Sequence, residues 1–323
     1  MRKRLLFFIL LGWVLLIVGD RVDELRVYQG AQISMYAIAL SSIVLLTGYS
    51  GQVSLGNGAM MAVGGYAAAL TLNNLQTPIW FAFLMSILAS AIFGALLGAS
   101  AARLSGPYLA GTTLALAVGL PALANQFGFL GGEQGILFDV GFPPERFGEE
   151  FSQYKWFFWI ATFIALISLF ITSNILHSRF GRTWRAIRGN SLAAELAGVH
   201  SARMKVLAFT ISSAIAGLAG AVLAMTISLV SPGAYTLSLS FALVTGAVLA
   251  GISSLPGVML GAVILVAIPE FADVVAHRLG DSEKVITHLP GLIVSVLLIL
   301  SVIFTPNGPG ENLRKHRKKK SAH

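Results

Sequence analysis

Apolar and polar positions in this chain are gathered into blocks rather than alternated. Apolar runs cover roughly residues 5–19, 31–47, 53–72, 78–101, 108–126, 154–177, 206–229, 238–254, 257–276 and 287–305. Most are long enough for a helix to cross a bilayer, which takes ~20 apolar residues. No Asp, Glu, Lys or Arg occurs between Arg26 and Arg103, Arg103 and Glu133, Lys205 and Glu270, or Lys284 and Glu311. The runs are continuous, without the two-residue alternation of a barrel strand. Lipid offers backbone groups no partner, so helices are the form they predict. The pattern therefore predicts an all-α, polytopic transmembrane helical bundle of about ten helices. The first run follows Met-Arg-Lys-Arg, and Gly19-Asp20-Arg21 is no small-residue cleavage site, so an uncleaved first helix is expected.

The charges that remain are sorted by side. With the N-terminus inside and ten helices alternating, the inner side receives Arg2, Lys3 and Arg4, Arg103, the cluster from Arg179 to Lys205, and the run from Arg314 to Lys320. Those are most of the 22 basic residues, as the positive-inside rule requires. The outer side receives Asp20, Asp23, Glu24, Glu133, Asp139, Glu145, Glu149, Glu150, Asp281 and Glu283. Both termini are then inside. Residues 1–308 are expected to form one transmembrane domain, with an inner loop at 178–205 and an extracytoplasmic loop at 127–153. Residues 309–323 form a basic disordered cytoplasmic tail suited to an anionic inner leaflet. The 127–153 loop holds six phenylalanines, Phe127, Phe129, Phe138, Phe142, Phe147 and Phe151, which suits packing on the outer face or docking.

Composition agrees with the pattern. Hydrophobic residues are 56% and charged residues 11%, against about 25% charged in a soluble domain. There is no cysteine, which excludes disulfide and thiolate chemistry. The net charge of +8 follows the topology and does not point to nucleic acid. The six histidines lack metal-ligand spacing, and no GxSxG elbow, paired carboxylates or P-loop occurs. Glu270 and Asp273 lie one turn apart near the outer end of the ninth run, where helix-end solvation accounts for them. No carboxylate is expected at mid-membrane, which weighs against a proton-driven pump and a membrane-embedded enzyme.

Glycine and uncharged polar residues mark the apolar part instead. Residues 48–65 contain Gly48, Gly51, Gln52, Ser54, Gly56 and Asn57, and 246–261 contain Gly251, Pro256 and Gly257. One glycine-interrupted segment in each half of the chain suggests broken helices along a midplane pathway. Gln52, Ser54, Asn57, Thr112 and Thr113 suit a small polar solute that is not held tightly. Close helix packing is the other reading, as in Gly94-x-x-x-Gly98 and Gly257-x-x-x-Gly261. In the inner loop, Arg182, Arg185 and Arg188 recur every three residues, with Trp184 and Ile187 between them. A short helix at Leu192–Leu196 ends at Gly198. Such an amphipathic segment either rests on lipid headgroups or docks into a soluble partner.

Several motifs together resemble the permease subunits of high-affinity branched-chain amino acid ABC transporters, specifically the M-type subunit, over about residues 30–308. Thr47 to Ala59 is similar to that family's TGYxGQxSLGHGAF signature, and Leu104 to Ala110 to its L(R)GPYLA element. Gly131 to Ile136 is similar to a TGGxxGL loop. Phe180-Gly181-Arg182 through Ala186-Ile187-Arg188, and Ala193 to Gly198, are similar to its coupling loop. Val230-Ser231-Pro232 and Gly251 to Gly261 resemble later segments. Asn57 stands where the family usually has His, and Ser191-Leu192 where a Glu is common. Gly251 to Ser254 lacks the usual glycine doublet.

The resemblance implies a multi-pass inner-membrane permease, not an enzyme, with no cofactor of its own. It would work with a second homologous permease, cytoplasmic ABC ATPase subunits that bind ATP, and an extracytoplasmic solute-binding protein. Arg182, Arg185, Arg188, Ala193, Ala194, Glu195 and Gly198 would couple to the ATPase. Gly48, Gly51, Gln52, Ser54, Gly56, Asn57, Thr112, Thr113, Gly251 and Gly257 would line or hinge the pathway. Branched-chain amino acids are the expected solutes. A urea or short-chain amide permease, or a stand-alone channel or facilitator, is the alternative.

Overall fold

The computed structural model describes residues 2–75, 77–102, 104, 106–141, 143, 147, 151–279 and single positions at 292, 293, 296 and 299. The expected tenth helix at 287–305 and the basic tail lie largely or wholly outside the described residues. Each of the nine earlier apolar runs is helical. The chain forms α1 (Arg2–Arg21), α2 (Glu24–Ile43), α3 (Asn57–Leu75), α4 (Ile79–Ala101), α5 (Pro107–Gln126) and α6 (Gln153–His177). It continues through α7 (Arg179–Gly189), α8 (Ser191–Leu196), α9 (Ser201–Ile227), α10 (Leu237–Ala250) and α11 (Gly257–Leu279). A π-helical turn, Val44–Tyr49, prolongs α2. The fold is all-α and polytopic.

Among the described residues, length and apolarity alone qualify six spans for crossing a membrane: Glu24–Tyr49, Ile79–Ala101, Tyr108–Gln126, Gln153–His177, Ser201–Ile227 and Pro232–Ala250. The sequence reading expected about ten. The difference has physical causes. Helix α3 is diluted by Gly64, Gly65, Asn73 and Asn74, and α1 carries charge at both ends. The apolar part of α11 is short, Gly257–Phe271.

Helix α9 is the hub, in contact with α2, α3, α4, α6 and α7. Small residues let its neighbours approach. A side chain at Gly217 would strike Ser90 of α4, and one at Gly220 would strike the backbone of Met61 on α3. The packing reading therefore holds for Gly94 and Gly98, which press α4 against Ser213 and Phe209 of α9. Hydroxyls tie the same helices: Ser86 Oγ donates to Gly217 O at 2.8 Å and Tyr235 OH to Gly220 O at 3.0 Å. In a low-dielectric interior such bonds substitute for the missing hydrophobic drive between helices.

The long loop after α5 is partly packed. Its strand β1 (Ile136–Leu137) pairs antiparallel with β2 (Leu229–Val230), just after α9. Ile136, Phe138 and Val140 are buried while Leu137 points outward. After β2 the chain turns back through Pro232–Tyr235, whose tyrosine reaches Gly220, seven residues before the end of α9. Helix α10 thus starts below that end of the bundle, which explains its 14 residues.

Candidate functional site

The stretch between α2 and α3 is a break in helix, as the glycines suggested, but α3 starts at Asn57, four residues later than the apolar run. The π turn closes with Ser50 N donating to Leu45 O and Gln52 N to Leu46 O. Gly51 then takes φ +75, a left-handed conformation that a side chain would strain. Gln52 turns inward, 5% exposed, and donates to Ser50 Oγ at 2.6 Å and to Lys205 O at 3.3 Å. Its Oε1 is buried without a partner. Thr47 Oγ1 donates to Gln52 O at 3.0 Å.

Further along, hydroxyls replace the missing helical bonds. Leu55 N donates to Thr113 Oγ1 at 3.0 Å and Gly56 N to Ser54 Oγ at 3.3 Å. Gly58 N donates to Ser240 Oγ at 3.1 Å, and Gly56 abuts the Thr113 carbonyl. These satisfy amide donors at and before the first turn of α3, groups that must find partners where water is absent. Asn57 Nδ2 reaches Ser42 Oγ at 3.5 Å, and Ser212 Oγ donates to Ser42 O at 3.0 Å. Lys205 and Ser212 lie early and midway in α9, so at 1.5 Å rise the break climbs from roughly 6 to roughly 16 Å along that helix. The wall it builds is polar and neutral. Ser42, Ser212 and Ser240 were not among the sequence candidates. Their only signal was a hydroxyl within an apolar run.

Thr112 and Thr113 part company. Thr113 is buried and props the break. Thr112 is exposed, with its hydroxyl on Leu109 O at 2.9 Å. It shares the exposed side of α5 with Tyr108, Gly111 and Val118. The open side is therefore a neutral surface of small and apolar groups.

The second break, between α10 and α11, turns at Gly251 with φ +88. Ser254 N donates to Gly251 O at 2.7 Å and Gly257 N to Ser254 Oγ at 3.2 Å. Gly257 abuts the Ala250 carbonyl, leaving no room for a side chain. The two breaks meet. A side chain at Gly48 would run into Ile252 O, and Ser253 Oγ donates to Gly48 O at 3.2 Å. Arg188 from α7 donates to that same carbonyl and to Ser253 Oγ at 2.9 Å.

Helix α7 is held against the bundle by its apolar face. Trp184 is fully buried and its Nε1 donates to Met204 O at 2.9 Å. Arg185 and Arg188 lie toward the break; the Arg185 guanidinium sits 5.5 Å from the Tyr49 ring centre. Arg182 is exposed, with a bond to His177 O at 3.4 Å. Helix α8 starts with Asn190, whose Oδ1 accepts from Ala193 N at 3.0 Å. It ends in a Schellman-type turn: Gly198 N donates to Glu195 O, Val199 N to Ala194 O, and Gly198 has φ +84. Ala194 is buried as an anchor. Ala193, Glu195 and Gly198 are exposed, and beside them Leu192 and Leu196 are 72% and 92% exposed. Neither leucine was a sequence candidate, although each lies between residues that were.

Glu270 is exposed on α11; the side chain of Asp273 lies outside the described residues. Among the described residues, no three His, Asp or Glu side chains come together to hold a metal.

A model of the family described as branched-chain amino acid transport system / permease component matches residues 28–302. The high-affinity branched-chain amino acid transport system permease protein LivM of Salmonella typhimurium is 29% identical over 328 residues, covering 94% of this chain and 73% of its own. LivM of Escherichia coli strain K12 is 29% identical over 299 residues, covering 85% and 67%. LivH of Salmonella typhimurium, also a permease protein of such a system, is 27% identical over 296 residues, covering 85% and 91%. No solved structure matches significantly.

Proposed function

Because the chain belongs to the family of branched-chain amino acid transport permease components, we propose that it is the M-type permease subunit of an ABC importer for branched-chain amino acids. It carries solute across the inner membrane by alternating access and performs no chemistry itself; ATP is bound and hydrolysed in partner subunits. The observation that carries this reading is one juxtaposition. An arginine-bearing α7 lies against the break that begins at Gly48 and runs into an exposed, leucine-bearing α8, so a push on α8 is passed through α7 to the break.

The partners are a second homologous permease, two cytoplasmic ATPases and an extracytoplasmic binding protein. Leu192, Ala193, Leu196 and Gly198 meet the ATPase, and Arg182 and Glu195 flank that contact. Gly51, Gln52, Ser54, Gly56, Asn57, Thr112 and Thr113 border the pathway, with the open side of α5 turned to the second permease. The nine helical runs and the expected tenth all cross the membrane. That leaves both ends inside, with 309–323 on the inner leaflet and 127–153 beneath the binding protein.

The test is reconstitution of the chain with its second permease, ATPases and binding protein in vesicles. Leucine, isoleucine or valine uptake is expected to require ATP and the binding protein. Uptake by the permease without ATP would replace this reading with a facilitator, and a partner binding protein that takes urea or short amides would move the solute class.

A further inference from the structure

Arg188 carries a role that docking to an ATPase does not describe. It leaves α7 on the side facing the bundle, and its head reaches the Gly48 carbonyl and Ser253 Oγ, which also donates to Gly48 O. Gly48 lies in the last turn of the π extension of α2. Ser253 lies three residues past the end of α10, beyond Gly251. The π extension of α2 therefore presents its C-terminal, partially negative end to the guanidinium, and the turn after α10 presents the Ser253 hydroxyl. No carboxylate pairs with Arg188 among the described residues; the ion pair found there joins Lys155 and Asp20. The end of the α2 extension is the partial negative charge it meets.

The surroundings are shaped to admit it. A side chain at Gly51 would strike the stem of Arg188, with its Cβ 2.8 Å from Cγ and 3.2 Å from Cβ. Gly48 lacks the side chain that would push Ile252 away. Arg185, one turn earlier, rests on Tyr49. Helix α7 is itself rigidly placed through Trp184 on Met204 O, and it runs into α8 through Asn190 alone.

We propose that Arg188 is a positioning residue that clamps the C-terminal ends of α2 and α10 together from α7, so that movement of α8 opens or closes the two helix breaks in concert. The clamp is closed in this structure and is released when the ATPases, acting through α8, turn the C-terminal end of α7 that carries Arg188 about the Trp184 anchor. The inference rests on the importer reading above.

The experiment uses the complete reconstituted transporter and measures solute uptake and ATP hydrolysis on the same vesicles. Arg188→Ala is expected to lower solute moved per ATP by about tenfold, the scale of losing charge-assisted bonds, while the ATPases still co-purify. Arg188→Lys, which keeps the charge and one donor, restores part of that ratio, as a merely steric role would not. Unchanged solute per ATP in Arg188→Ala overturns the proposal. If that variant does not assemble, Ser253→Cys in this cysteine-free chain decides with Arg188 in place. Its thiol labelling is expected to rise about threefold or more when the ATPases are trapped closed with vanadate, since release of a bonded clamp exposes the serine position. Equal labelling in both states overturns it. Failure of the unaltered chain to bind any ATPase would instead overturn the importer reading.

Discussion

At the residue scale, the glycines divide by what an added side chain would meet. Gly48 has no room because Ile252 O occupies it, whereas Gly198 has open space but a left-handed backbone. The two should fail differently. Gly48→Ala forces the breaks apart and is expected to lower stability by about 1–3 kcal/mol, as overpacking does, seen as a lower midpoint of thermal unfolding in detergent, with uptake reduced. Gly198→Ala strains only the exposed turn, costing about 1 kcal/mol or more. It should weaken ATPase association while leaving membrane insertion and the unfolding midpoint of the bundle unchanged. Gln52 offers a third case. Its amide ties the break to α9 at Lys205. Gln52→Ala is expected to cost about 1 kcal/mol and to loosen the break, read as faster proteolysis between α2 and α3.

Among elements, α8 is the clearest separation of structure from function. Six residues long, it buries Ala194 and leaves Leu192 and Leu196 in the open. Exposed leucines on a short surface helix cost little to replace in the isolated subunit but a great deal at a partner's groove. Leu196→Glu should therefore cut co-purification of the ATPases by about tenfold or more, the scale of burying an unpaired charge at an interface, with normal expression and insertion. Deleting 190–198 should abolish transport and leave the helices inserted. If either variant transports like the unaltered chain, α8 is not the coupling element.

Over the whole molecule, topology is the quantity to measure. The chain has no cysteine, so single thiols report their side without background. Leu137→Cys on the packed outer loop and Leu196→Cys on α8 are both highly exposed, 76% and 92%. In sealed, right-side-out membranes an impermeant reagent should label the first and spare the second. A thiol placed in the 314–320 run should also be spared. Labelling of both sites from one side would mean that the helix count between them is wrong.

Much of this molecule was readable in one dimension. Burying uncharged backbone in lipid leaves helix as the solution, so a run such as 154–177 could be bounded to within a residue of α6. The 178–205 loop was legible for a similar reason: Arg at every third position and a terminating Gly198 are local codes, whereas the cap at Asn190 came from the structure. The resemblance over nearly the whole chain pointed to the permease family, and the motifs that carried it lie in the breaks and the inner loop. What stayed hidden was long-range. Nothing local says that Ser253 meets Gly48, that Thr113 faces the break while Thr112 faces away, or that Ser42, Ser212 and Ser240 finish the polar wall. Those pairings depend on how the neighbouring helices settle against α9, where close contacts at glycine decide the register. The helices and the family follow from the chain's own residues, because lipid and backbone hydrogen bonding leave few choices. The joining of the two breaks under Arg188 belongs to the tertiary structure, because only packing brings the ends of α2 and α10 to one guanidinium.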